Sequence, residues 1–268
     1  NKSEIKYITD KKRELEEFIK LEAMKVEFLS NMSHEFRTPI NIILAITQLL
    51  NMHNKSLSDE KYKEYLNVLK QNSYRLLRLI NNIMDITKVN SDSDQLNLIN
   101  CNIVSVLEEI VMSTVLYASE KKRNIIFDTD NEEIILACDE DKIERIMLNL
   151  ISNAIKFSDC DTDIEVKINT NLDLNRVYIS IKNYGSNIEF KDREKIFERF
   201  YRVDNSLNRK NEGCGIGLFL CRKFIEMHGG EIFLDNIDNG TQFSFYLPIN
   251  ITEEKINNPI IQKDSLIE

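Results

Sequence analysis

The sequence predicts two domains of different class: an N-terminal hairpin of two long helices, and a C-terminal domain in which helices pack on a β-sheet. Three observations lead to this fold class. Apolar residues recur at alternating steps of three and four in the first part of the chain, and helical and strand patterns alternate after residue 103. All seven glycines fall between Gly185 and Gly240. Because glycine permits backbone conformations that other residues avoid, we expect the unusual loops in the second domain.

The first helix is predicted from a heptad pattern between Ile5 and Leu50. The same pattern returns between Tyr62 and Ile83 after a polar break at His53 to Asp59, where Ser58 is a candidate N-cap. Two helices joined by a short turn form a hairpin, and one hairpin cannot bury both apolar seams. We therefore expect a homodimer in which two hairpins form a four-helix bundle.

The second domain is predicted from alternating helical and strand patterns that follow a polar linker at residues 89–102. The polar residues 250–268 are expected to form a frayed tail. The predicted helices are Ile103 to Lys121, Asp139 to Phe157 and Gly217 to His228. The predicted strands are Ile125 to Thr129, Ile134 to Cys138, Ile164 to Thr170, Val177 to Asn183, Glu231 to Asp235 and Gln242 to Leu247.

Composition narrows the class of function. The net charge of −9 disfavours a nucleic-acid partner, because binding to phosphate backbones needs a basic surface. The five cysteines form no CxxC pair, so we expect reduced thiols and no zinc site. No apolar run reaches the ~18 residues of a membrane span. The chain begins at Asn1 without a Met, and we interpret it as a cytoplasmic piece of a longer protein.

The stretch from Phe28 to Pro39 carries the first chemical motif. In the heptad pattern His34 lies one step outside the seam, so its ring is predicted on the bundle surface. Imidazole is a competent nitrogen nucleophile near neutral pH, and the adjacent Glu35 can hold the proton of the other ring nitrogen. Pro39 removes a backbone donor in mid-helix and predicts a bend there.

This stretch resembles the phosphoacceptor box of sensor histidine kinases, whose core reads Ser-His-Glu-(Leu/Phe)-Arg-Thr-Pro. The resemblance implies that His34 becomes phosphohistidine and that Glu35 is the general base. It also implies that Thr38 positions water when the domain works in reverse as a phosphatase.

A second motif lies in the helix from Asp139 to Phe157. Asn149 and Asn153 are four residues apart and share a helix face with Lys156, which suits a magnesium-triphosphate group. The segment resembles the N box of the same family. That resemblance implies that Asn153 binds Mg²⁺, that Lys156 binds phosphate and that Phe157 lies near the adenine.

A third motif places Gly213, Gly215 and Gly217 at every second position before Leu218, at the start of a helix. Such a loop lets the backbone approach phosphates, but a dinucleotide-binding loop has a similar pattern. That alternative needs a strand just upstream, whereas Val203 to Asn211 is polar. The motif resembles the second glycine box of histidine kinases, preceded by their ATP lid. Ile196 to Arg202 resembles their phenylalanine box, and Gly240 to Phe243 their closing strand.

The first glycine box departs from the family pattern Asp-x-Gly-x-Gly. Asn183 stands in place of the Asp that accepts the adenine amino group, Gly185 is retained, and Asn187 replaces the second glycine. A neutral acceptor makes a weaker bond than a carboxylate, by about 1 kcal/mol. Asn also tolerates the left-handed backbone, so we expect Asn187 to keep the shape of the loop.

The resemblance implies a helical-hairpin domain that dimerises into a four-helix bundle, followed by an α/β sandwich ATPase domain of the histidine kinase/gyrase type. It implies ATP and Mg²⁺ as cofactors, autophosphorylation of His34, transfer to an aspartate of a response regulator, and a membrane-anchored full-length protein. The alternative is a weakly ATP-binding kinase that acts mainly as a response-regulator phosphatase or scaffold. A gyrase or mismatch-repair ATPase is disfavoured by the box around His34.

The expected domains are a connecting helix at 1–22, a dimerisation and phosphotransfer domain at 23–88, the linker at 89–102, the catalytic domain at 103–249, and the tail at 250–268.

Overall fold

The computed structural model describes residues 2–52, 58–89, 95–203 and 215–252. The chain divides into two compact units. The first unit comprises Asn1–Asp92 with Lys195–Gly217, and the second comprises Ser93–Glu194 with Leu218–Glu268. Lys195–Gly217 groups with the first unit, and the domain bounds expected from the sequence stay predictions.

The first unit contains the two predicted long helices, α1 (Lys2–Met52) and α2 (Asp59–Val89), which pack as a hairpin. Ser58 caps α2 as predicted, since its Oγ accepts a hydrogen bond from the backbone N–H of Lys61 at 3.4 Å. Asp59 and Glu60 lie in the first turn, where the helix dipole favours negative charge. Pro39 lies inside α1, and the bend expected there stays a prediction. Residues 53–57 of the predicted turn lie outside the described residues.

The second unit is built on a five-stranded sheet with the strand order β2-β4-β5-β7-β6. Strand β2 runs parallel to β4, and the other neighbours are antiparallel. A separate antiparallel pair joins β1 to β3. The strands are β1 (Ile99–Asn102), β2 (Arg123–Thr129), β3 (Ile135–Cys138), β4 (Thr162–Asn171), β5 (Arg176–Tyr184), β6 (Glu231–Ile237) and β7 (Gly240–Pro248). The helices are α3 (Ile103–Glu120), α4 (Glu140–Phe157) and α5 (Gly217–Met227), with short 3-10 turns at Phe190–Asp192 and Lys195–Phe197.

Alternating apolar residues decide which face of the sheet is covered. In β5 the residues Val177, Ile179 and Ile181 are fully buried, and their neighbours in sequence are half-buried. Helix α4 packs on β5, and α3 packs on β2. Helix α3 begins after Asn102 and α4 after Asp139, and each of these side chains accepts a hydrogen bond from a backbone N–H of the first turn. The α/β layered class predicted for this region is confirmed.

Two predicted boundaries are wrong. The last four residues of the predicted linker, Ile99–Asn102, form strand β1. The start of the predicted frayed tail is also ordered, because the Asn250 carbonyl accepts from Ala137 N–H at 2.7 Å and Thr252 N–H donates to the Asn100 side chain at 2.9 Å. Both segments are polar, so their composition gave no sign of this pairing. Asn100 is nevertheless buried, and its amide is bonded to the Thr252 backbone. The other helices and strands of the second unit end within two residues of their predicted bounds.

Within the described part of the chain, no helix combines the length and apolar character needed to cross a membrane.

Candidate functional site

His34 lies on α1 with its side chain exposed, as the heptad pattern predicts. Thr38 follows one helical turn later, and its hydroxyl donates to the His34 carbonyl oxygen at 3.2 Å. Both polar side chains thus belong to one short stretch of helix surface. The imidazole ring is accessible to a second molecule or domain, which a phosphoacceptor requires.

Glu35 forms an ion pair that the sequence analysis missed. Its Oε2 accepts from Nη2 of Arg75 on α2 at 3.0 Å, and the side chains of Arg75 and Glu35 are 29% and 16% exposed. The two residues lie equally far from the middle of the turn near residue 55, so hairpin pairing is the signal that could have predicted the contact. A carboxylate has two oxygens, and the bond to Arg75 therefore leaves capacity to accept the proton of an imidazole.

The last three turns of α4 carry the N-box residues. Asn149 is half-buried, and its Nδ2 donates to Cys221 Sγ of α5 at 3.2 Å, so part of its amide serves helix packing. Asn153 is half-buried one turn later. Lys156 is exposed, with its Nζ 5.2 Å from the centre of the Phe157 ring. An amide, an ammonium group and an aromatic ring thus follow one another at the end of this helix.

Asn183 lies on the buried side of β5, opposite Thr241 of β7. Only 3% of its surface is exposed, and its Nδ2 has no hydrogen-bond partner among the described residues. A buried donor without an acceptor costs about 1 to 3 kcal/mol. The position is therefore suited to a bound group that brings a hydrogen-bond acceptor.

Gly185 directly follows β5 and lies against the end of α4. A Cβ at this position would lie 2.3 Å from the carbonyl oxygen of Phe157, which only glycine avoids. The backbone N–H of Asp159 donates to the Tyr184 carbonyl at 2.9 Å across the same junction. The structure thereby brings the end of the N box next to the first glycine box within the second unit.

Asn187 is exposed, and its backbone does not use the left-handed conformation that Asn tolerates. The described non-glycine residues with positive φ are Lys122, Asp161, Asn175, Phe200 and Asn239. Asn187 therefore does not adopt the left-handed conformation, and the loop needs no glycine there for its backbone angles.

The second glycine box is only partly described, because Gly213 lies outside the described residues. Gly215 has φ +67°, and its backbone oxygen accepts from Phe200 N–H at 2.9 Å. The Phe200 ring stacks on Phe28 of α1, with ring centres 4.3 Å apart, within the first unit. Gly217 begins α5 as predicted, and the adjacent Leu218 is half-buried.

Two other features bear on binding. An open cavity of about 510 Å³ is lined by Lys182, Tyr184, Ile237 and Asp238. Since neighbouring strand residues point to opposite faces, Lys182 and Tyr184 lie on the other face of β5 from Asn183, so this cavity is separate from the predicted nucleotide residues. The described residues contain no group of three or more His, Cys, Asp or Glu side chains that could hold a metal ion.

His228 is a buried histidine that sequence reasoning left unassigned. Its Nε2 accepts from Asp139 N–H at 3.0 Å, which leaves Nδ1–H to donate to the Phe224 carbonyl at 2.7 Å. Burial lowers the pKa of the imidazole below its usual value of 6.5, which favours the neutral ring. His228 thus ties the end of α5 to the N-cap of α4.

Comparison with known proteins matches both units to families. Residues 24–92 match the His Kinase A (phospho-acceptor) domain. Residues 138–251 match the histidine kinase-, DNA gyrase B- and HSP90-like ATPase. Sensor histidine kinase WalK of Bacillus subtilis is 31% identical over 88% of this chain, which spans 38% of that protein's length.

Two solved structures are similar over most of the chain. Full-length ShkA in complex with AMPPNP is 26% identical with a TM-score of 0.62, covering 84% of this chain and 46% of that chain. Histidine kinase ThkA in complex with the response regulator protein TrrA is 27% identical with a TM-score of 0.57, covering 84% of this chain and 61% of that chain.

Proposed function

Because the chain belongs to the sensor histidine kinases of two-component systems, we propose that it transfers the γ-phosphoryl group of ATP to His34 and then to an aspartate of a response regulator. The observation that carries this proposal is the exposed His34 imidazole within a phosphoacceptor domain that precedes an ATPase domain.

In the first step, a ring nitrogen of His34 attacks the γ-phosphorus, and the bond to the bridging oxygen of the leaving ADP breaks. Glu35 accepts the proton that the other ring nitrogen loses, with its carboxylate oriented by Arg75. Thr38 positions water for the reverse, phosphatase reaction. Positioning and charge neutralisation supply most of the rate enhancement in such transfers.

The second unit provides residues that fit a magnesium-bound adenine nucleotide. Asn183 can accept a hydrogen bond from the adenine amino group through Oδ1. The Asn153 amide oxygen is a hard ligand for Mg²⁺, which neutralises phosphate charge when bound, and Lys156 supplies a positive charge for the phosphates. The proposed ATP-binding residues are Asn149, Asn153, Lys156, Phe157, Asn183, Gly185, Gly213, Gly215, Gly217 and Leu218.

Exposed apolar side chains support the proposed homodimer. Eight large hydrophobic residues of the predicted seam are more than 40% exposed in the single chain, namely Leu15, Ile19, Val26, Leu29, Ile40, Tyr62, Leu66 and Ile80. Side chains of this size stabilise a folded protein by about 1.5 to 3 kcal/mol each when fully buried. A second hairpin that covers both seams would bury them in a four-helix bundle.

The partners and location follow from this function. The solved complex of ThkA with TrrA supports a response-regulator receiver domain as the phosphoryl acceptor. ATP and such a regulator would meet this part of the protein in the cytoplasm, with the full-length protein anchored in the membrane. No nucleic-acid partner is proposed, in keeping with the net charge of −9.

Asn183 also favours a second candidate function. Its neutral amide replaces the carboxylate of the family pattern and weakens adenine binding, so the chain would act mainly as a response-regulator phosphatase or scaffold. The two candidates differ in one observable. A kinase incorporates phosphate from ATP, whereas a phosphatase or scaffold only binds the phosphorylated regulator or removes its phosphate.

The test is incorporation of radioactive phosphate from γ-labelled ATP into the chain and its His34→Gln variant. The proposal predicts acid-labile label in the wild type and none in the variant, because a nitrogen–phosphorus bond hydrolyses in acid. Acid-stable label, or label retained in the variant, would show that His34 is not the acceptor. No label together with dephosphorylation of a phosphorylated receiver domain would favour the second candidate.

A further inference from the structure

Two buried cysteines lie next to each other in the small sheet of the second unit, outside the proposed active site. Cys101 of β1 and Cys138 of β3 have their Sγ atoms 3.1 Å apart. Their exposed fractions are 6% and 0%. Cys101 pairs with Leu136 in the register, so Cys138 is its diagonal neighbour on the same face of the strand pair.

This separation is close to what a covalent bond requires. A disulfide has its sulfurs about 2.05 Å apart, so the two side chains need to approach by about 1 Å. We propose that Cys101 and Cys138 are a redox modification site, at which a small hydroperoxide such as hydrogen peroxide converts the thiol pair into a reversible disulfide.

The contact between the sulfurs gives the two cysteines different chemical roles. The contact with the Cys138 thiol lowers the pKa of Cys101, while burial and Glu140 oppose this effect. The same contact, together with burial, raises the pKa of Cys138. Cys101 is the sulfur that keeps some exposure and whose pKa is lowered, so we assign it the attack on the peroxide and assign Cys138 the resolving step.

The reaction balances in two steps. The Cys101 thiolate attacks one peroxide oxygen and the O–O bond breaks, which gives a sulfenic acid and a hydroxide ion that takes up the proton of the former thiol. The Cys138 sulfur then attacks the Cys101 sulfur, the S–O bond breaks, and the departing oxygen takes the Cys138 proton and leaves as water. Two thiols and one hydrogen peroxide become one disulfide and two waters, so sulfur is oxidised and peroxide is reduced.

The position of the pair gives the cross-link a structural consequence. Cys101 lies two residues before α3, and Cys138 directly precedes Asp139, the N-cap of α4. Helix α4 carries Asn149, Asn153 and Lys156. A disulfide would tie the first strand of the second unit to the start of this helix and close a chain segment from 101 to 138. By restricting the unfolded chain it should raise the melting temperature of the second unit by about 5 to 10 °C.

The other described cysteines provide internal comparisons. Cys160 is exposed, and Cys221 is buried but bonded to Asn149 and to the Ile146 carbonyl. The experiment treats the full chain with hydrogen peroxide, alkylates the remaining thiols after unfolding, and maps the peptides by mass spectrometry. We expect a linked peptide that joins Cys101 to Cys138, a loss of two hydrogens, and reversal by dithiothreitol.

The variants sharpen the test. The peroxide-induced rise in melting temperature should be absent in Cys101→Ser and Cys138→Ser and retained in Cys160→Ser. Alkylation of both Cys101 and Cys138 after peroxide treatment, or oxygen adducts without a linked peptide, would overturn the proposal. If the serine variants fold poorly, the linked peptide in the wild-type chain decides alone, because its presence supports the proposal and its absence overturns it.

Discussion

The helical hairpin and the α/β unit bury their apolar residues to very different extents. Among the described side chains of α1 and α2, the buried apolar ones are Met32, Pro39, Leu79 and Ile86. In the second unit α3, α4 and the central strands place continuous rows of apolar side chains in the interior. The comparison indicates that the α/β unit holds its core within one chain, whereas the hairpin depends on a second copy.

The strongest test of this difference is a cavity in the second unit. Leu107 of α3 is fully buried, so Leu107→Ala should lower the free energy of unfolding by about 3 kcal/mol. Leu116→Ala on the same helix is the matched control, because Leu116 is 72% exposed and should change stability by less than about 0.5 kcal/mol. Urea unfolding of both variants measures the difference. Equal losses of unfolding free energy in the two variants would contradict the placement of Leu107 in the interior of this unit.

The first unit should respond to a charge in its seam. Leu66 is 43% exposed in the single chain and belongs to the predicted seam of α2. Leu66→Glu should weaken the dimer by about 1 kcal/mol per chain and thus about 2 kcal/mol per dimer, roughly thirtyfold in Kd, because each chain loses the apolar surface that Leu66 would bury against the partner. Sedimentation equilibrium measures this against Leu172→Glu, a variant at an exposed position in the second unit. A wild-type chain of only 31.4 kDa at micromolar concentration would contradict the dimer itself.

A smaller effect is expected from the ion pair inside the hairpin. Arg75→Ala leaves the partly buried Glu35 carboxylate without its partner and should destabilise the first unit by about 1 kcal/mol. It should also slow phosphorylation of His34 because Glu35 is no longer held. Arg78→Ala removes an exposed arginine from the same helix and is the control. Equal labelling rates in the two variants would show that Arg75 does not orient Glu35.

The smallest expected effect is a pH dependence confined to the second unit. Since burial lowers the pKa of His228 below 6.5, the unfolded chain binds a proton more readily than the folded one. The stabilisation from the neutral ring is therefore complete above pH 6.5 and is lost as the pH falls below that value. Urea unfolding between pH 7 and pH 5 should show a steeper loss in the wild type than in His228→Gln. Parallel curves would mean that the pKa of His228 is the same in the folded and in the unfolded chain.

Much of this architecture could be predicted because its signals are local. Heptad spacing predicts α1 and α2, and alternating apolar residues predict the central strands to within two residues. The exposure of His34 follows from its place next to the seam. Periodicity within one segment is sufficient for each of these predictions.

The missed features depend on residues far apart in sequence. Strand β1 exists because Ile99–Asn102 pairs with β3, and Thr252 is bonded to Asn100, about 150 positions earlier. The bonds from Arg75 to Glu35 and from Asn149 to Cys221 likewise join separate helices. No local pattern specifies such contacts, since they arise only when the elements pack.

We propose that the second unit binds ATP although Asn183 stands in place of the acidic residue of the family pattern, and calorimetric titration of Mg²⁺-ATP tests this most directly. We expect saturable binding of one ATP per chain, about fivefold tighter in Asn183→Asp and unchanged in Asn187→Gly. The gain should be absent with GTP, since the substitution changes the contact to the adenine amino group. The absence of saturable ATP binding in both the wild type and Asn183→Asp would contradict the account.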